Sequence, residues 1–243
     1  MLMAVFLLSD EPVFPPPYLA QRNGLLAIGG DLSIERLIAA YRNGIFPWYG
    51  GGEPILWWSP DPRLVLFPEK LHISRRLKRI LKNGPFTVTM DAAFREVITE
   101  CARIRLERGG ETWIDRNMIK AYCRLHEYGM AHSVEVWNED KICGGLYGVA
   151  LGSSFFGESM FSRIPNASKV ALVYLVRQLL KWSFSMIDCQ TTTAYLIGMG
   201  AQHIPRSLFL ELLEKSLKTP TRTGKWKIDK EKALHQKNDA KIL

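Results

Sequence analysis

Residues 132–163 constrain the fold more than any other stretch of the chain, and they read HSVEVWNEDKICGGLYGVALGSSFFGESMFSR. Three strand-like runs, SVEVW, KICGGLYGVAL and SSFFGESMF, follow one another, and the first two are separated by a polar turn at 138–140. Runs rich in β-branched and aromatic residues with such short connections are typical of neighbouring strands. The stretch therefore predicts three consecutive strands of one sheet.

The segments around these strands alternate between helical and strand-like patterns. RLVLF, FTVTM and FSMIDCQ resemble short strands, while four amphipathic segments and one long apolar-faced segment resemble helices. The expected order after the N-terminal region is β-α-α-βββ-α-β-α. This order predicts an α+β fold with a mixed, mainly antiparallel sheet.

The N-terminal region has a different character. Residues 12–24 contain four prolines, which block regular structure, and a short capped helix follows before a loop rich in Pro, Gly and Trp. We expect a small N-terminal domain over residues 1–63 and a larger domain over 64–243. The last part of the chain, from about residue 219, is highly charged and is expected to be mobile.

The net charge of +8 favours anionic partners such as nucleic acid. The four cysteines form no C-x-x-C pair and have no histidine at metal-ligand spacing, so no metal site is predicted. The apolar start of the chain lacks a basic beginning and a cleavage site, and it is too short to span a bilayer. We expect a cytoplasmic protein with reduced thiols and no membrane partner.

Two features of the sequence suit nucleic acid. Five cations lie within residues 75–82 with no acid among them, which fits either a solvated helix face or a phosphate contact. Trp48 and Trp113 lie in loops rather than in periodic core patterns, so each either packs internally or stacks on a base.

A single carboxylate interrupts an apolar strand face. If the strand alternates regularly, Glu158 shares a face with Phe156 and Met160. An acid in such surroundings indicates a pocket with one proton-accepting or cation-seeking group. The alternative is a structural ion pair with Arg163.

The segment FSMIDCQ ends in three polar residues. Strand alternation predicts that Asp188 and Gln190 share one face and that Cys189 points the other way, into the core. Cys189 has no histidine pattern that would activate it as a nucleophile. Asp188 and Gln190 are therefore a candidate polar pair at a strand end, unless Asp188 only caps a turn.

A set of ordered motifs carries a family resemblance. AYRNGIFPWY, ILWWSPDPR, ETWI, GGLYGVALG, FGESMFSR, NASKVAL, IDCQ and GAQHIPR resemble the leucyl/phenylalanyl-tRNA–protein transferases over about residues 12–217. The resemblance implies a C-terminal domain similar to GCN5-related N-acetyltransferases. It also implies transfer of leucine or phenylalanine, and less readily methionine, from aminoacyl-tRNA to proteins that begin with Arg or Lys, which marks them for N-end-rule degradation.

The resemblance assigns roles to the motif residues. It implies that Asp188 and Gln190 position the attacking amine, with Asp188 fixing Gln190 and helping to relay the proton. Trp48 and Trp113 would bind the terminal adenosine of the tRNA, with Tyr41 nearby. It implies no cofactor and no metal, since the aminoacyl ester is already activated, and we expect a monomer.

The resemblance also assigns the surrounding substrate contacts. Leu146, Phe155 and Met160 would line the pocket for a side chain that is unbranched at Cβ, and Glu158 would make polar contacts with the substrate. The tRNA acceptor stem would dock on a basic cluster formed by Arg75, Arg79 and Lys82.

The sequence departs from the family pattern just after the predicted amine-positioning pair. The family commonly carries Asn and His where this chain has Thr193 and Tyr195, and the motif SLGA is here GMGA, starting at Gly198. Two other functions also fit parts of the sequence. One is an acyl-CoA-dependent N-acetyltransferase, although the glycine-rich pyrophosphate loop is missing, and the other is a non-catalytic tRNA-binding protein.

Overall fold

The computed structural model describes residues 5–107 and 109–229, and their strands form two separate sheets. The strands are β1 Phe6–Leu8, β2 Leu25–Gly29, β3 Phe46–Pro47, β4 Leu56–Trp58, β5 Arg63–Leu66, β6 Phe86–Met90, β7 Ala131–Asn138, β8 Lys141–Leu151, β9 Ser154–Ser162, β10 Met186–Gln190 and β11 Gln202–Ile204. The helices are α1 Ile34–Arg42, α2 Arg75–Asn83, α3 Phe94–Glu107, α4 Arg116–Glu127, α5 Ala167–Lys181, α6 Ala194–Gly198 and α7 Arg206–Leu217.

The large sheet has the strand order β11-β5-β10-β9-β8-β7-β6. Its neighbours pair antiparallel except β9 and β10, which are parallel. The three consecutive strands expected over 132–163 are β7, β8 and β9. The prediction of an α+β fold with a mixed, mainly antiparallel sheet is therefore confirmed.

Two hydrophobic clusters pack on opposite faces of this sheet. Phe155 and Phe156 are neighbours on β9, yet their side chains enter different clusters, as strand alternation requires. Helices α3 and α4 contribute to the cluster that contains Phe156, and α2 and α5 contribute to the cluster that contains Phe155. The sheet is therefore covered by helices on both faces.

The small sheet has the order β1-β2-β4-β3 and lies in the N-terminal region. Its central side chain is Trp57, which is fully buried and donates a hydrogen bond from Nε1 to the carbonyl oxygen of Gly29 at 2.9 Å. The large sheet begins with Arg63, the first residue of β5. The division into domains at residue 63 remains a prediction.

The longest helix, α5, has 15 residues, whereas a transmembrane helix needs about 20 apolar residues. No helix within residues 5–107 and 109–229 combines the length and the apolar character needed to cross a bilayer.

The expectation of a mobile tail is wrong for residues 219–229, here called the C-terminal strap. Trp226 is only 2% exposed, and its backbone N–H donates to Oδ2 of Asp91 at 2.7 Å. The N–H of Gly224 donates to the carbonyl oxygen of Gly129 at 3.1 Å. The strap is therefore bound to the body of the protein, while residues 230–243 of the predicted tail lie outside the described residues.

Candidate active site

A cavity of about 510 Å³ lies beside the parallel strands β9 and β10. Its lining includes seven of the predicted site residues, namely Trp48, Trp113, Leu146, Phe155, Glu158, Met160 and Gln190. Of the predicted catalytic and substrate-binding residues, Tyr41 and Asp188 are absent from the lining. Tyr41 reaches it through the side chain of Glu158, and Asp188 through the backbone N–H of Gln190. The cavity is mostly apolar, so its few polar groups have a large influence on what it can bind.

Glu158 enters the cavity because β9 is irregular at this residue. Tyr147 pairs with Ser159 and Gly148 pairs with Gly157, so Glu158 is the extra residue of a β-bulge. The prediction that Phe156 and Met160 share the face of Glu158 is wrong, because the bulge shifts Met160 to the opposite face.

Three neighbours donate hydrogen bonds to the Glu158 carboxylate. The hydroxyls of Tyr41 and Tyr122 donate to it at 2.7 and 3.0 Å, and Nε2 of Gln190 donates at 2.6 Å. The alternative ion pair with Arg163 is excluded, since Arg163 instead binds Glu100 and Glu107. The hydrogen bonds compensate in part for the burial of the carboxylate.

Burial raises the pKa of Glu158 to about 7, although the hydrogen bonds from Tyr41, Tyr122 and Gln190 act to lower it. The nearby charge of Asp188 raises it further. An acid with this pKa exchanges its proton near neutral pH, as a group that accepts or donates a proton in a reaction must.

Tyr41 supports Glu158 rather than lining the cavity. It is fully buried, and its hydroxyl is also hydrogen bonded to that of Tyr122. Burial raises the pKa of both phenols, so both stay protonated and can donate. No sequence signal pointed to Tyr122, which comes from α4 and reaches the site through the packing of α4 beside α1.

Gln190 is positioned by a second local irregularity. It has a left-handed backbone conformation, with φ of 60°, and the register of β10 against β5 shifts between Asp188 and Gln190. The side chains of Asp188 and Gln190 bond separate partners, Arg63 and Glu158, and the prediction that regular alternation places them on one face stays a prediction. Nε2 of Gln190 bonds Glu158, and its amide oxygen is available to the cavity, where no described residue donates to it.

Asp188 binds a cation that the sequence analysis missed. Its carboxylate accepts two hydrogen bonds from Arg63, from Nε at 2.8 Å and from Nη2 at 2.7 Å, and both side chains are almost fully buried. Oδ1 of Asp188 also accepts the backbone N–H of Gln190 at 2.8 Å. Asp188 therefore fixes the backbone of Gln190 and does not touch its side-chain amide.

Arg63 connects this pair to two other parts of the fold. Its guanidinium lies 4.8 Å from the ring centroid of Phe46 and 4.6 Å from that of Phe209, on β3 and α7. The sequence signal for Arg63 was its place in the motif SPDPR, at the start of a predicted strand. Nothing in the sequence indicates that it pairs with an aspartate 125 residues away.

Cys189 packs in the core as predicted, although part of it also reaches the cavity wall. Burial strongly raises the pKa of its thiol, and the charge of Asp188 adds to this effect. A thiol with a raised pKa is a poor nucleophile, so Cys189 is excluded as the reactive group.

The predicted tryptophans form one aromatic cluster at the cavity. The ring centroids of Trp48 and Trp113 are 5.9 Å apart in an edge-on arrangement, and Trp58 lies 5.7 Å from Trp48. Arg105, a further residue that the sequence analysis missed, lies 3.8 Å above the Trp113 ring. Trp48 remains 41% exposed, so its ring offers a surface for stacking.

A second cavity of about 160 Å³ adjoins the first. The two share Phe46, Trp48, Gln190 and Thr191 in their linings. Gln190 is therefore accessible from two sides. Within the described residues, no group of three or more His, Cys, Asp or Glu side chains is arranged to hold a metal ion.

The basic helix α2 exposes its predicted tRNA contacts. Ser74 caps the helix, and Leu77 is its only fully buried side chain. Arg75, Arg79 and Lys82 are exposed and form no ion pair with the described residues. The N–H of His72, just before α2, donates to the carbonyl oxygen of Met199, just after α6.

Two of the three sequence departures lie on the cavity wall. Thr193 and Tyr195 both line the main cavity, and the Thr193 side chain caps the short helix α6. The ammonium group of Lys169 lies 5.6 Å from the Tyr195 ring centroid. The third departure, which starts at Gly198, is absent from the lining.

Comparison with known proteins identifies the family. The family model "Leucyl/phenylalanyl-tRNA protein transferase" matches residues 65–214, and the model of its N-terminal domain matches residues 30–61. The chain belongs to the leucyl/phenylalanyl-tRNA–protein transferase family. The resemblance seen in the sequence is therefore confirmed, and with it the enzyme class, an aminoacyltransferase.

Curated relatives match over nearly their whole length. The leucyl/phenylalanyl-tRNA–protein transferase of Syntrophobacter fumaroxidans is 57% identical over 92% of this chain and 96% of its own. That of Myxococcus xanthus is 53% identical over 92% of this chain and 97% of its own. A solved GCN5-related N-acetyltransferase from Kribbella flavida is 12% identical over 70% of this chain and 59% of its own, with a TM-score of 0.37, which is too low to support any conclusion.

The ion pair of Arg63 and Asp188 predicts a specific pattern of stability. Asp188→Asn should lower the free energy of unfolding by about 3–5 kcal/mol, because it leaves a buried guanidinium unpaired. Adding Arg63→Met should restore part of this loss, since no unpaired charge then remains. Urea denaturation followed by fluorescence measures each variant.

The matched control for this pair is Glu211→Gln, which breaks the exposed pair of Glu211 and Lys215. It should change stability far less, because exposed ion pairs contribute little. If Asp188→Asn and Glu211→Gln have the same effect, the buried ion pair does not have the role described above.

The raised pKa of Glu158 predicts a pH-dependent stability. The folded chain holds this proton more tightly than the unfolded chain, so the contribution is present below about pH 4.5 and is lost as pH rises through about 7. The stability of Glu158→Gln relative to the wild type should therefore rise by about 3 kcal/mol across this range and then level off. Urea denaturation from about pH 5 to about pH 8 measures most of this rise.

The control for the pH experiment is again Glu211→Gln. A hydrogen bond from Lys215 lowers the pKa of Glu211. The stability difference between this variant and the wild type should consequently stay constant over the same range. A constant difference for Glu158→Gln as well would contradict the raised pKa.

Proposed function

We propose that this enzyme transfers leucine or phenylalanine, and less readily methionine, from aminoacyl-tRNA to the N-terminal amine of proteins beginning with Arg or Lys. The observation that carries the proposal is the hydrogen-bonded pair of Glu158 and Gln190 at the edge of an apolar cavity. The apolar wall can hold the side chain of the transferred amino acid, and the polar pair can bind the reacting amine.

The proposed reaction is the aminolysis of an ester. The acceptor nitrogen attacks the ester carbonyl carbon, the C–N bond forms, and the bond from that carbon to the ribose oxygen breaks. The amine loses a proton and the ribose oxygen gains one. Because the aminoacyl ester is already activated, no external energy source is needed. Holding the ester and the amine in attack geometry supplies much of the rate.

The roles within the site follow from its contacts. We assign to the Gln190 amide oxygen the hydrogen bond from the attacking amine, because this oxygen is available to both cavities. Glu158 offers a carboxylate for substrate amines and holds the Gln190 amide through Nε2. Asp188 positions Gln190 through its backbone N–H, so we no longer assign a proton relay to Asp188.

The apolar wall supports the proposed choice of amino acid. Leu146, Phe155 and Met160 line the cavity, together with Leu172 and Ile187. Flexible and γ-branched side chains in the wall leave room for Leu, Phe or Met, whereas Val and Ile are branched at Cβ, next to the reacting ester. We expect β-branched substrates to be rejected on shape.

The tRNA is proposed to bind at two places. Trp48 and Trp113 would stack on the terminal adenosine, a contact that contributes about 1–3 kcal/mol per base. Arg75, Arg79 and Lys82 would contact phosphates of the acceptor stem, because they are exposed and have no acidic partner among the described residues.

The wider setting is part of the same proposal. Proteins that receive Leu or Phe would be marked for N-end-rule degradation in the cytoplasm, where charged tRNA occurs. The enzyme would act as a monomer. Light scattering of the purified protein tests the monomeric state.

The central experiment measures transfer of labelled Leu or Phe from charged tRNA to a peptide that begins with Arg. Gln190→Ala should lower kcat/KM about a hundredfold because the amine is no longer positioned. The affinity for charged tRNA should remain within about twofold, since Gln190 is assigned to the amine and not to the nucleic acid.

The controls separate this function from the alternatives. Equal losses of tRNA binding and transfer in Gln190→Ala would indicate a structural role. A folded wild-type protein that binds charged tRNA without transfer would be a tRNA-binding protein, and tight binding of acetyl-CoA would favour an N-acetyltransferase.

The basic helix gives a second prediction. Replacing Arg75, Arg79 and Lys82 together by Ala should weaken tRNA binding and reduce the slope of log K against log salt by about two to three. Filter binding at several salt concentrations measures this slope. The control Lys215→Ala removes a cation already paired with Glu211 and should leave the slope unchanged; an unchanged slope in the triple variant would exclude α2 from the tRNA contact.

A further inference from the structure

The C-terminal strap inserts one large side chain into the core behind the main cavity. The Trp226 indole stacks on the His132 imidazole, with 3.6 Å between ring centroids, and meets Trp182 edge-on at 4.8 Å. Phe184 and Phe155 lie 5.8 and 6.0 Å away. Trp226 is thus surrounded by aromatic rings, one of which also belongs to the cavity.

Phe155 is the ring shared between the strap and the cavity. It lines the main cavity and is only 1% exposed, whereas Trp226 is absent from the lining. On another side, the Phe155 ring rests against Gly148, where an added Cβ would come within 2.6 Å of two ring atoms. The backbone at Gly148 and the side chain of Trp226 therefore leave the Phe155 ring little freedom to move away from the cavity.

The strap is anchored independently of the cavity. Asp91 accepts the N–H of Trp226, and the hydroxyl of Thr221 accepts the N–H of Gly152 at 2.9 Å. Farther along, Nε2 of Gln178 donates to Asp229 at 2.7 Å. None of these anchoring residues lines the main cavity, whereas Trp226 packs against the lining residue Phe155.

We propose that Trp226 is a specificity-determining residue, which sets the depth of the aminoacyl side-chain pocket by holding Phe155 in place. This inference rests on the proposed function, in which Phe155 lines that pocket. A smaller residue at 226 leaves space behind Phe155, so the ring can retreat and the pocket deepens. A deeper pocket gains contact with a large side chain and loses contact with a small one, and such differences in fit change selectivity by factors of about ten or more.

The experiment compares kcat/KM for Phe-tRNA and Leu-tRNA in two variants and a control. Trp226→Leu should raise the ratio of Phe to Leu transfer at least about threefold, because Phe fits the deeper pocket better. Trp226→Phe keeps an aromatic ring behind Phe155 and should stay within about twofold of the wild-type ratio. The control Asp229→Ala removes an anchor of the strap far from Phe155 and should leave the ratio unchanged.

The outcomes separate this inference from the proposed function. A folded Trp226→Leu variant with an unchanged ratio, or an equal shift in Asp229→Ala, would overturn the role of Trp226. If Trp226→Leu does not fold, Trp226→Met has a flexible side chain that adapts better to the space and should shift the ratio in the same direction, and an unchanged ratio there would overturn the role as well. A wild-type enzyme that transfers neither amino acid would instead refute the proposed function.

Discussion

The buried ion pair of Arg63 and Asp188 is the interaction on which the site depends. It joins β5 to β10, and the rings of Phe46 and Phe209 hold the guanidinium from the small sheet and from α7. The same carboxylate accepts the backbone N–H of Gln190. At Gln190 the backbone adopts a left-handed conformation that residues other than glycine rarely occupy. A buried ion pair with good geometry thus stabilises a strained residue, Gln190, in the wall of the main cavity.

Two irregularities in neighbouring strands create the polar pair at the cavity. The bulge at Glu158 turns its carboxylate toward Tyr41 and Tyr122, and the left-handed backbone at Gln190 brings its amide to the same carboxylate. Regular strands would have placed these side chains by simple alternation. The departure from regularity allows a buried acid to keep three hydrogen-bond donors and still line the main cavity.

The C-terminal strap illustrates how average composition misleads. Its charged residues suggested a mobile tail, yet one tryptophan and a few backbone hydrogen bonds suffice to dock it. Burial of this large aromatic side chain and the hydrogen bonds of the strap act together against the entropic cost of ordering the segment. The partner surface comes from His132, Phe155 and Trp182, which are distant in sequence, so local composition carried no information about it.

The sequence by itself determined the three consecutive strands β7, β8 and β9, most of the helices, the family, and seven residues of the cavity wall, because local periodicity and short motifs specify these features. Only the tertiary structure decided that Asp188 pairs with Arg63, that Tyr41 and Tyr122 support Glu158, and that the strap is docked. Each of these is a contact between residues far apart in the chain, formed where burial makes a partner necessary. Periodicity records which side chains are buried, but it does not record which of them meet.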